Sequence, residues 1–319
     1  MFGAQRVFDG SRLLPALLVL VAGCAPIPPS VSELPARGVS VELEDTPFYP
    51  QERYQCGPAA LTTLLAKSGV SVSLEDIVDK VYLPGRQGSL QFELLAATRT
   101  EGRLPYVIDG TLAAAWSELG AGRPVLVLQN LGVAAIPRWH YAVVVGIDAE
   151  RAEVVLRSGT DKRRVTPINT FLRTWRRGDY WGMVALAPDE LPVTPDRSRY
   201  FESIAALEQA GRAEEAAIAW RTALQAWPGD TVAMFGHANA LFATRDYRAA
   251  EAAYRELLER DSGAVAARNN LALVLAEQGR YDAALQEIGV ALSEAGNGDL
   301  EQELRDTEAT IRRRKAGAD

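Results

Sequence analysis

The chain is poor in sulfur and imidazole, with two cysteines and two histidines among 319 residues. Zinc sites gather three or four nitrogen and sulfur ligands, so no metal site is expected here, and no cofactor either. An excess of positive charge is also missing. With 34 Lys and Arg against 41 Asp and Glu, the net charge of −7 provides no basic stripe, which excludes nucleic acid as a partner. Phosphate-loop chemistry is absent as well: Gly85-Arg86-Gln87-Gly88-Ser89 places two glycines before a helical pattern but lacks the required lysine. That segment reads as a helix-entry loop, with a place at the border of a substrate cleft as the lesser alternative. The apolar run over 13–21 falls short of the roughly 20 residues a membrane-spanning helix needs.

What is present begins with that run. Arg6 and Arg12, the apolar 13–21 and Val21-Ala22-Gly23-Cys24 have the order of a bacterial export signal ending in a lipobox. Cys24 is then expected to carry lipid as the first residue of the mature protein, anchored stably by more than one acyl chain. An ordinary signal peptide with an incidental cysteine is the alternative. Residues 25–38 read as a tether. No aspartate follows Cys24, where Ala25 and Pro26 stand, so the expected place is the outer membrane, facing the periplasm, with the lipid as the only membrane contact. Cys56 is then the one thiol left, with no partner for a disulfide. Its surroundings decide whether it is reactive or inert.

Two folded units are expected, 39–187 and 197–319, joined by a proline- and acid-rich connector over 188–196. In the second unit, Gly211-Arg212-Ala213, Arg245-Asp246-Tyr247 and Gly279-Arg280-Tyr281 recur at a spacing of 34, the tetratricopeptide period. Small or apolar Ile204, Ala238 and Ala272 recur in the first helices, Ala216, Ala250 and Ala284 in the second, and bulky Trp220, Tyr254 and Ile288 four positions on. Alanines allow close helix approach while the bulky residues fill the next groove. A polar capping helix is expected over 300–314. His237 lies inside this array and reads as structural.

The first unit places helices early, over 56–67, from 73, over 89–100 and over 111–119, with Ser73 and Thr111 as start signals. Strands come later, over 124–129, 141–147, 153–157, 163–166 and 183–187, as β-branched or apolar runs between turn residues. Helices followed by an antiparallel sheet give an α+β domain.

Cys56 precedes Gly57-Pro58, and proline is at home in a first helical turn. The thiol therefore belongs at a helix N-terminus, where unpaired N–H groups and the helix dipole favour a thiolate. His140, the one histidine of its unit, opens an otherwise apolar strand. Gln51 lies five residues before Cys56, near enough for its amide to join the Cys56 N–H as an oxyanion hole. Gln55 is the rival for that part.

Gln51, Cys56-Gly57-Pro58-Ala59-Ala60-Leu61 and His140-Tyr141-Ala142-Val143-Val144-Val145-Gly146-Ile147-Asp148 together resemble the papain-like cysteine peptidases, and within them the bacteriocin-processing leader peptidases of family thirty-nine and their stand-alone relatives. The resemblance covers the first unit alone. It implies a papain-like domain followed by the all-α repeat array, in which Cys56 attacks, His140 is the general base and Gln51 makes the oxyanion hole. Those relatives carry Asp-Pro after the next strand, where this chain reads Leu156-Arg157-Ser158-Gly159-Thr160-Asp161. Asp161 is the acidic candidate for orienting His140, with Ser158 a neutral rival at the motif position, and Asp148 reads as a turn residue. The expected function is a lipid-anchored cysteine peptidase acting on a peptide or protein substrate through a thioester, with a protein partner in the repeat groove. The alternatives are an inactive papain-like scaffold, or a thiol-dependent acyltransferase, transglutaminase or amidase.

Overall fold

The computed structural model describes residues 40–50, 55–133, 135–295 and 300–318. The expected lipid site Cys24, the tether and Gln51 lie outside the described residues.

Alternating apolar residues over 125–128 divide between two buried layers. Val125 and Val127 enter one, Leu126 and Leu128 the other. The strand carrying them, β3 (Val125–Asn130), therefore lies in a sheet covered on both faces, which is why it reads as a continuous apolar run. The other strands are β1 (Ser40–Glu42), β2 (Leu104–Val107), β4 (Trp139–Asp148), β5 (Glu153–Ser158), β6 (Asp161–Pro167) and β7 (Gly182–Leu186). They run β2-β7-β3-β4-β5-β6, all antiparallel, with β1 added to the far half of β4 beyond β3.

On one face pack α1 (Cys56–Lys67), α2 (Leu74–Val81) and α3 (Gln91–Thr100), through Leu61, Leu64, Ile77, Val81 and Leu94. The opposite face receives α4 (Leu112–Gly120) and α5 (Ile168–Arg176), through Leu112, Leu119, Phe171 and Trp175. The start signals act as expected, Ser73 accepting from the Asp76 N–H and Thr111 from the Ala114 N–H. The sequence reading lacks three elements, β1, β2 and α5.

The mixed α+β domain is followed by a helical array in pairs: α6 (Arg197–Gln209) with α7 (Ala213–Ala226), α8 (Thr231–Ala243) with α9 (Tyr247–Arg260), and α10 (Val265–Glu277) with α11 (Tyr281–Ala295). Helix α12 (Leu300–Ala316) covers the last pair with Leu304 and Ile311. The repeated Ala216, Ala250 and Ala284 are fully buried, and Trp220, Tyr254 and Ile288 lie at 4% exposure or below.

The segment over 188–196 is not loose. Tyr106 of β2 is buried, and its hydroxyl donates to Thr194 O at 3.3 Å and accepts from the Asp196 N–H at 3.0 Å. On α6, Ser203 Oγ donates to Pro105 O at 3.1 Å, and Arg199 reaches Val107 O and Asp109, both at 3.0 Å. Tyr200, Phe201, Ile204 and Leu207 extend the core of the sheet into the array. Helix α6 thus closes the β2 edge, which would otherwise offer unpaired strand groups to other chains.

Candidate active site

Helix α1 begins at Cys56, and its N-cap Gln55 makes no side-chain capping bond. The first-turn N–H groups are left for other partners. Gly57 is required by a close approach: a Cβ there would lie 2.6 Å from Ser89 Oγ and 2.7 Å from Ser89 Cβ. Across the sheet, Tyr141 of β4 donates its hydroxyl to Ser89 O at 3.4 Å and sets its ring edge-on to Trp181, 6.1 Å away. Ser89 and Tyr141 thereby wedge the start of α1 against the sheet.

The Cys56 thiol packs beside the apolar layer under α1. Burial pushes its pKa up, against the pull of the backbone N–H groups of Tyr141, Gly57 and Cys56 itself. The helix terminus alone does not produce the thiolate that the sequence leads one to expect, because desolvation of the charge outweighs it.

His140 stands at the rim end of β4, one residue from the Tyr141 N–H that serves the thiol, and opposite Gln129 of β3. Tyr141, Val143 and Val145 go to the α1 layer and Ala142 and Val144 to the other. The imidazole Nε2 lies 2.8 Å from Ser158 Oγ, which leaves Nδ1 as the nitrogen open to another partner. Burial, and then the charges of Arg164 and Arg138, lower the His140 pKa to about 4.

Of the two proposed orienters, the structure brings Ser158 to the ring. Asp161 pairs with Arg164 at 3.8 Å. The reason is topological: Gly159 turns the chain with φ of +64°, so Asp161 falls opposite Ser158 on β6, beyond β5 as seen from His140. Asp148 accepts from the Arg151 N–H at 2.9 Å, a turn contact.

Beside Ser158, Arg157 is 4% exposed, and its guanidinium donates to Thr46 O, Glu44 O, Leu43 O and Lys162 O at 2.7–3.5 Å. It ties the segment leading toward Gln51 to the end of β5. Gln55, the rival oxyanion donor, is half-buried at the start of α1.

The turn joining β3 and β4 is built firmly. Asn130 Oδ1 accepts from the Gly132 and Arg138 N–H groups, both at 2.9 Å, while Arg177 donates to Asn130 O at 2.8 and 3.0 Å. Val133 and Ile136 exchange backbone hydrogen bonds of 3.3 and 3.1 Å. Yet Val133, Ile136 and Trp139 are 61%, 71% and 56% exposed. Sequence reasoning placed Tyr141 in the His140 motif without giving it a role, and did not single out this hairpin. Gly132, followed by the apolar Val133 and Ile136 between two apolar runs, was the available signal.

Residues 43–180 match the model of the Peptidase C39-like family, and residues 235–299 match that of the tetratricopeptide repeat. Among the curated proteins compared, none matches. Similar solved structures include a C39-like peptidase from Bacillus anthracis, at 14% identity and a TM-score of 0.40, covering 46% of this chain and 98% of that one. A double glycine motif protease from an AMS/PCAT transporter, solved with a leader peptide, is 19% identical with a TM-score of 0.33, covering 44% of this chain and 89% of that one. The Yersinia enterocolitica type III secretion chaperone SycD, solved with a peptide of the translocator YopD, is 16% identical with a TM-score of 0.35, covering 37% of this chain and 93% of that one. The chain thus joins a mixed α+β domain of the C39-like peptidase type to a helical array of the tetratricopeptide type.

Proposed function

We propose that the chain is a cysteine peptidase whose repeat array recruits a peptide or protein partner. The observation that carries this is the order of groups along the end of β4: Tyr141, whose N–H lies beside the Cys56 thiol at the start of α1, directly follows His140, whose ring is held by Ser158. His140 Nδ1 takes the thiol proton as sulfur attacks the scissile carbonyl carbon. The oxyanion is held by the Cys56 N–H and by Gln51. Collapse breaks the C–N bond, with His140 returning the proton to the leaving nitrogen, and a thioester remains. Water then attacks, its proton passing to His140, and the acid leaves as sulfur recovers its hydrogen. For Nδ1 to act as base, the neutral ring carries its proton on Nε2, donated to Ser158 Oγ. Ser158, being uncharged, supports the imidazolium less than a carboxylate does, so slow turnover is expected. Cys24 provides the lipid anchor, and the protein works at the periplasmic face of the outer membrane.

A second reading, an inactive scaffold, draws on the raised thiol and the lowered imidazole, which leave both groups neutral at rest. Acyl transfer to an amine would use the same thioester with a different acceptor. Labelling by a peptidyl vinyl sulfone, with release of peptides from unfolded casein, separates these readings. The peptidase reading expects label on Cys56 alone and both activities lost in Cys56→Ala and His140→Ala. Equal labelling in wild type and His140→Ala, rising only near the free-thiol pKa of about 8.5, would establish the scaffold. Product masses showing amine adducts would establish the transferase.

A further inference from the structure

Two successive intervals of the repeat array, equivalent by the 34-residue period, are filled differently. Adding 34 to Met234, Ala253 and Arg260 gives Arg268, Glu287 and Glu294, and adding it to His237 gives Leu271. In the later interval the chain closes the space with its own groups. Arg268 donates to Glu287 at 3.1 Å, to Glu294 at 3.3 Å and to Ser262 O at 2.9 Å, and Leu271 is fully buried. In the earlier interval a cleft of about 280 Å³ remains between α7, α8 and α9, close to the lower end of small-ligand sites at about 300 Å³. Its floor is apolar, from Leu224, Met234 and Ala253, and its polar groups are His237, Glu256 and Arg260. The Arg260 guanidinium is laid over Gly229, where φ is +76° and a Cβ would come 2.7 Å from Arg260 Cζ. Among the described residues, the side chains of Arg260, Glu256 and His237 form no hydrogen bond and no ion pair. Burial, and then the charge of Arg221, lower the His237 pKa against the pull of Glu256. The ring is therefore neutral at pH 7, with one donor and one acceptor nitrogen.

We propose that this cleft binds a free α-amino acid with an apolar side chain. Its carboxylate meets Arg260 and the His237 N–H, its ammonium meets Glu256, and its side chain covers Leu224, Met234 and Ala253. The ligand thus supplies the charges that Arg268, Glu287 and Glu294 exchange among themselves in the next interval. A simple carboxylate would leave Glu256 unanswered and a simple amine would leave Arg260 so. The acid one helical turn from Arg260 also disfavours a phosphate. No residue of the sheet domain lines the cleft, so the inference stands apart from the peptidase reading.

The test is isothermal titration of the full chain with four probes: L-leucine, 4-methylpentanoate, which lacks its ammonium, 3-methylbutylamine, which lacks its carboxylate, and inorganic phosphate. Leucine is expected to bind with a Kd of about 1 mM or tighter, as a small ligand with a few good contacts does. Each of the other probes should bind at least about tenfold more weakly, the effect of losing one charge-assisted contact. Arg260→Gln and Glu256→Gln, both at exposed positions, should each weaken leucine by about the same factor and leave the thermal unfolding midpoint in place. His237→Leu, which copies the closed interval, should weaken leucine as well. Absence of leucine binding to wild type overturns the inference, and so does leucine binding that is as tight in both Arg260→Gln and Glu256→Gln as in wild type. Binding of 4-methylpentanoate or phosphate as tightly as leucine also overturns it, since the cleft would then be selecting an anion rather than an amino acid.

Discussion

Two margins of the same sheet are finished in opposite ways. At β2, the chain covers its own edge, with α6 over it, Tyr106 buried, and Ser203 and Arg199 answering the carbonyls of Pro105 and Val107. At the β3–β4 end, the polar fastening is just as thorough, through Asn130 and Arg177, but Val133, Ile136 and Trp139 stay in solvent. Covering the first margin yields stability and a continuous core between domain and array. Leaving the second open keeps Val133, Ile136 and Trp139 in solvent at the end of the hairpin from which His140 enters β4.

The sharpest way to break this contrast is Tyr106→Ala, which removes a buried ring and leaves the Asp196 N–H without its acceptor. A loss of about 3–5 kcal/mol is expected in denaturant unfolding, as for other large-to-alanine core changes, with the array and sheet domain then unfolding in separate steps. Next is Gly57→Ala, whose Cβ must displace Ser89. It should cost about 1–3 kcal/mol as an overpacked site and change the alkylation rate of Cys56, measured by mass spectrometry. A third test concerns pH. His140 titrates near 4 in the folded protein against an ordinary 6.5, so the unfolded chain binds the proton more readily. This contribution to stability is full above about 6.5 and is lost as pH falls toward 4. Ser158→Asp should raise the His140 pKa, followed by NMR, flatten that acid loss and speed turnover. The smallest effect belongs to the open margin: Val133→Ser with Ile136→Ser should shift unfolding by no more than about 0.5 kcal/mol, as exposed positions do.

The repeat array was legible because one 34-residue unit is written out three times, and every small or bulky position it marks is buried. In the first domain, α1, α2 and α4 were legible from Pro58, Ser73 and Thr111. Strand β2 was not: Leu104–Val107 is four residues long, contains Pro105 and has both faces covered, so no alternation survives. Helix α5 was legible in principle, since Ile168, Phe171, Leu172 and Trp175 have helical spacing, but its direct start after a strand at Pro167 obscured it. At the site, Cys56, His140 and Ser158 could be named from motif and position. The choice between Ser158 and Asp161 could not, because it depends on where the turn at Gly159 falls. Nor could a sequence disclose that burial would outweigh the helix terminus at the thiol.

Strand β5 ends in two adjacent residues with separate duties, Arg157 gripping the carbonyls of 43–46 and Ser158 steadying the imidazole. Anyone redesigning the ring's partner therefore also retunes the clasp on the segment leading to Gln51. Variants aimed at the imidazole are best selected at both positions together, since a gain at one can be erased by slippage at its neighbour.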